Sequence, residues 1–138
     1  MQSNSERGVI MGLTIQQQRA NFALECIQDL KDVLTTDKAQ GEFISYASGL
    51  PAMIHMNGLG QAMAFCKLKS KERESYGQLY QLVSDWLCKE GQPYHQKKDV
   101  LEGITQCDMA HYQLAQAEAL VLMSWVKKFA KAFLKEEE

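Results

Sequence analysis

Apolar residues recur in this chain at helical spacing, almost from end to end. Sustained period-2 alternation is nearly absent, and there are only two prolines. A chain of 138 residues with that pattern reads as one all-α domain, a compact bundle of about five to six helices.

Thr14 is a plausible N-cap for a first helix running to about Thr35. Ala23, Ile27, Leu30 and Leu34 share its inner face, and Ile15, Phe22, Cys26 and Val33 widen the arc. Asp37 is placed to cap a second helix over residues 38–48, ended by Gly49. Pro51 suits the first turn of a third. In that third helix Ala52, Met56, Leu59, Met63 and Cys66 form a stripe that passes Asn57, Gly58 and Gly60. Either the helix breaks at Asn57-Gly58 or another backbone approaches closely there. The stripe reads as keeping its phase, which favours close approach. Further helices are expected over about residues 71–89, residues 98–107, and from an Asp108 cap to about Lys135. The last carries Tyr112, Ala115, Ala119, Leu122, Val126, Phe129 and Phe133 as its stripe. Residues 1–13 read as a poorly packed N-terminal extension, and residues 14–138 as the helical domain.

Chemistry-bearing motifs are missing from the sequence. His55, His95 and His111 stand in no metal-ligand spacing, and there is no nucleophile elbow or P-loop. Gly58-Leu59-Gly60 belongs to a helical pattern, not a phosphate loop. Cys26, Cys66, Cys88 and Cys107 form no C-x-x-C pair and read as small buried hydrophobes of a reducing compartment. No secretory signal and no membrane-length apolar run is evident, so a cytoplasmic location is expected. The expected protein is not an enzyme, needs no cofactor or metal, and takes no small-molecule substrate.

Charge is more informative. The net charge of -2 excludes a uniformly polybasic binder, so any nucleic-acid contact has to be local. Lys127, Lys131 and Lys135 repeat at i, i+4, i+8 with Lys128 beside them, opposite Phe129 and Phe133. A second cluster, Lys67, Lys69, Lys71 and Arg73, spans the junction of two helices. Each is either a solvated face with cations near helix C-termini or a stripe that tracks phosphates. Glu25, Asp29 and Asp32 give the first helix an acidic outer face, and are candidates for a subunit interface.

Two segments resemble a known family: LPAMIHMNGLGQAMAFCK at residues 50–67 and EALVLMSWVKKFAKAFL at residues 118–134. They are similar to blocks of the small α-helical subunit of the type III-B CRISPR effector, the Cmr complex, and Arg19-Ala20 fits that family's early arginine-alanine pair. The resemblance covers about residues 17–134. It implies a non-catalytic subunit for antiviral defence that stacks with copies of itself in an inner filament, beside the other Cmr subunits. It also implies contact with guide and target RNA, whose base pairing reads the sequence. Lys127 and Lys128 fall on the family's basic pair, although the second position is often arginine there. Together with Lys131, Lys135, Arg19 and the cluster Lys67 to Arg73, they are the candidate RNA contacts. The competing reading is a generic helical interaction subunit without RNA contact. A helix-turn-helix regulator is disfavoured by the acidic balance.

Overall fold

The computed structural model describes residues 12–136, so most of the N-terminal extension lies outside the described residues. Five helices are found there and no strand: α1 (Ile15–Val33), α2 (Asp37–Lys69), α3 (Glu74–Leu87), α4 (Val100–Gln106) and α5 (Met109–Phe133).

Local chemistry accounts for most of these boundaries. Thr14 caps α1 in a full capping box, accepting from the Gln17 amide while the Gln17 side chain accepts from the Thr14 amide. Thr36, one residue before the expected Asp37, caps α2 by accepting from Ala39. Asp99 and Asp108 do the same for α4 and α5. Gly91, at φ +86, turns the chain shortly after α3 ends.

The second and third expected helices are one element with a different break point. The helix runs straight through Gly49 and Pro51 and is interrupted at Gly58, whose φ of 86 and ψ of 158 are not helical. Before the break Phe43, Ala47, Leu50 and Ile54 are buried; after it Leu59, Ala62, Met63 and Cys66 are. An unbroken helix would continue from Ile54 to positions 57, 58 and 61, yet Asn57 and Gln61 are exposed. The apolar phase therefore slips by one residue at Gly58, and the expected stripe does not hold. Its members Ala52 and Met56 are exposed, Met56 at 82%.

The break leaves the first amides of the second arm without helical partners. Side chains of α5 take their place. The Leu59 amide donates to Gln116 Oε1 at 2.9 Å and the Gly60 amide to the Tyr112 hydroxyl at 3.0 Å. Close approach and break thus occur together, and α5 supplies the cap.

The second arm then returns toward the start of the first. Arg73, just past its end, pairs with Glu42 at 3.4 Å, and the Ser75 hydroxyl donates to the Ala39 carbonyl at 2.6 Å. Helices α1 and α5 run alongside each other in the same direction. Arg19 and Glu118, which pair, each lie about four turns before the end of their helix. The two C-terminal ends meet at Gln40. Its amide group donates to Leu34 O at 2.8 Å, and its oxygen accepts from the Lys135 amide at 2.9 Å. The core of all these elements is continuous, from Ala23, Ile27 and Leu30 through Phe43 and Leu79 to Ala119, Leu122 and Val126.

Candidate nucleic-acid interface

The route of the chain decides where the candidate charges lie. Lys135 follows α5 and is fastened to Gln40 in the first turns of α2. Arg73 precedes α3 and is fastened to Glu42, half a turn further on. The two basic clusters, far apart in sequence, are thereby brought to the same end of the domain, on either side of the start of α2.

Within the first cluster Lys128, Lys131 and Lys135 are exposed and Lys127 is half-buried. Helical spacing puts Lys127 and Lys131 on the side of α5 that carries Gln116, away from Glu118 and Trp125. Among the described residues, none of these four lysines lies within ion-pair distance of a carboxylate. The second cluster is more engaged. Lys69 Nζ lies 3.5 Å from Glu72, and Arg73 holds Glu42. Lys67 Nζ sits 4.9 Å above the Tyr80 ring, and Lys71 is exposed. Exposed pairs such as Lys69–Glu72 are weak and leave the lysine able to exchange partners.

Arg19 is placed differently from the other candidates. Its guanidinium grips Glu118 with both Nε and Nη2, the latter at 2.9 Å, and the side chains are only 14% and 13% exposed. Trp86 Nε1 donates to the same carboxylate at 2.9 Å. Burial pushes the Glu118 carboxyl up, but the hydrogen bonds from Arg19 and Trp86 and the arginine's charge outweigh it, and the net direction is down. The bond to Glu118 raises Arg19 correspondingly. This is a structural tie between α1, α3 and α5, and it turns Arg19 away from the basic end.

The acidic residues of α1 divide as well. Asp29 and Asp32 are exposed, whereas Glu25 is half-buried. Asp29 lines a groove between α1 and α3 with Cys26, Val33, Gln78 and Asp85. The four cysteines are free thiols. Burial pushes Cys66 and Cys88 up to about 11 and, with help from Asp85 and Asp29, Cys26 to about 12. Cys26, Cys66 and Cys88 are therefore held as thiols rather than thiolates near neutral pH. His55, His95 and His111 are all exposed, His111 against its own helix cap Asp108 at 2.7 Å. No helix among the described residues is long and apolar enough to cross a membrane.

Residues 15–133 match the family described as CRISPR-associated protein (Cas_Cmr5). The chain belongs to that family. The matched span starts at the first residue of α1 and ends at the last residue of α5, so the Cas_Cmr5 domain is the whole bundle. A relative, the CRISPR system Cmr subunit Cmr5 of Thermus thermophilus, is 26% identical over 101 residues, 72% of this chain and 81% of that one. In this Cas_Cmr5 member Lys127, Lys128 and Lys131 fall inside the match, and Lys135 lies just beyond it.

Two features of the basic end had no readable signal in the sequence. Gln40 is a buried polar residue joining three helices, yet as a lone glutamine it resembles any other. Tyr46 and Tyr76 stack with ring centroids 3.7 Å apart, a contact that depends on the return of the second arm of α2.

Proposed function

We propose that this chain is a non-catalytic structural subunit of the CRISPR type III-B Cmr effector complex, and that its basic end contacts RNA backbone in the guide–target groove. The subunit role follows from family membership across all five helices and from the name of the Thermus relative. The observation that carries the RNA contact is the convergence of Lys127, Lys128, Lys131 and Lys135 with Lys67, Lys69 and Lys71 at one end of the bundle. Lysines act as point charges and suit backbone contacts that carry no sequence preference, leaving base pairing to read the target. Arg19, committed to Glu118, has a structural role in this proposal.

Assembly with further copies of the chain, in a filament serving antiviral defence in the cytoplasm, belongs to the same proposal. The exposed Asp29 and Asp32, with Glu25 beside them, offer an acidic side toward a neighbouring subunit. A like copy presenting lysines to it makes a heterologous contact, which propagates rather than closes. Native mass spectrometry of the chain mixed with the remaining Cmr subunits tests the assignment. Incorporation in more than one copy is expected, and charge reversal at Asp29 and Asp32 lowers the copy number. A complex that assembles fully without binding this chain would contradict it.

A further inference from the structure

The basic end contains more than lysines. Tyr46 and Tyr76 stack with their rings 9° from parallel, and Phe65 meets Tyr76 edge-on with centroids 5.6 Å apart. The packing fixes Tyr46 from one side. Tyr46 also lines an open groove of about 400 Å³, walled by Lys38, Gly41, Glu42, Ile44, Ser45 and Glu136. That size lies in the range of small-molecule pockets, enough for one planar ring system with part of its sugar.

The groove's chemistry is mixed in an informative way. A phosphate site would exclude Glu42 and Glu136. A site for a cationic side chain would not carry Lys38 on its wall and Arg73 against Glu42. Glu42 is in addition already engaged by Arg73. A nucleobase suits both halves. Its face stacks on a held aromatic ring, its amino and imino hydrogens go to carboxylate and hydroxyl acceptors, and its phosphates stay outside among the lysines.

We infer that the groove beside Tyr46 receives one unpaired base of a bound RNA strand, stacked on the Tyr46 ring, while the lysines on either side hold the flanking phosphates. This rests on the RNA contact proposed above and adds a base-dependent component to it. Bases with an exocyclic amino group, adenine, cytosine and guanine, gain the most, because the Glu136 carboxylate on the groove wall can accept from it.

The test compares a fluorescently labelled oligoadenylate with an abasic ribose-phosphate strand of equal length, by anisotropy on the full chain at low salt. The wild-type protein is expected to bind the oligoadenylate about five- to a hundredfold more tightly. Tyr46→Ala removes that preference and leaves the abasic affinity unchanged, whereas Tyr46→Phe keeps both. Should Tyr46→Ala unfold, Ser45→Leu fills the groove from an exposed position and gives the same loss. Equal wild-type affinity for the two strands overturns the base site while sparing the backbone contact. Failure to bind either strand overturns both. Preference for an arginine-rich peptide over either strand, lost in Tyr46→Ala, would assign the groove to a protein partner and also overturn the inference.

Discussion

Arg73, which follows the second arm of α2, pairs with Glu42 near the beginning of the first arm. That pairing requires the helix to fold back at Gly58, and the fold-back is what brings Lys67, Lys69 and Lys71 to the end where α5 finishes. A break in one helix thus organises the charged surface of the domain.

Gly58 holds φ +86, and a Cβ there would stand 2.9 Å from the Tyr112 hydroxyl. Gly58→Ala is therefore expected to cost about 1–3 kcal/mol, through strained backbone and displacement of the cap from α5. Gly49 is the contrasting case. It lies inside the helix with nothing within 4 Å of a Cβ, so Gly49→Ala should stabilise by about 1 kcal/mol. Urea denaturation midpoints of the two variants should move in opposite directions. Movement in the same direction would place the break elsewhere.

Gly103 is packed face-on against the buried Tyr94 ring, and an added Cβ would fall 2.3 Å from that ring. Tyr94 is fully buried, so it has little room to withdraw. Gly103→Ala should destabilise by about 1–3 kcal/mol. Retention of wild-type stability in thermal unfolding would show that the loop after α3 yields easily.

The Arg19–Glu118–Trp86 tie gives a signed pH dependence. The folded-state pKa of Glu118 lies below its unfolded value. Its contribution is present above the ordinary carboxylate pKa of about 4 and fades as pH falls through the lower folded value. Glu118→Ala strands a largely buried guanidinium and an indole N–H, and should cost about 3 kcal/mol at neutral pH. In acid the gap between wild type and variant should narrow. A gap that stays constant down through that range would show that the carboxylate does not carry the stabilisation.

How much of this was legible in sequence depended on whether the signal was local. Caps are local, and Thr14 and Asp108 are readable as such, whereas the helix expected from residue 98 takes in the cap Asp99, and Asp37 reads as the cap in place of its neighbour Thr36. The all-helical class, the inner face of α1 and the α5 face at Ala115, Ala119, Leu122 and Val126 followed from spacing alone. Phe133, expected on that stripe, is 43% exposed, and Ala130 and Leu134 are buried in its place. Gly49 and Pro51 misled because each is a helix terminator on average, while packing of Ala47, Leu50 and Ile54 carries the helix past them. The phase slip from Ile54 to Leu59 was visible in principle, but Met56 and Ala52 masked it by offering apolar residues at the unbroken spacing. Arg19 looked like one more cation; only its long-range partner Glu118 distinguishes it. That both lysine clusters share one end depends on the backbone path at Gly58, and no spacing rule encodes it.

The most direct measurement is the salt dependence of target RNA binding by a reconstituted complex carrying Lys127→Ala, Lys128→Ala, Lys131→Ala and Lys135→Ala together. None of the four is in the buried core, so helicity by circular dichroism and incorporation into the complex should match wild type. Affinity should fall by similar factors for unrelated target sequences. The slope of log affinity against log salt should flatten by about 0.7 for each phosphate that is no longer neutralised. Unchanged affinity with an unchanged slope would contradict the account, and would show that these lysines face only water.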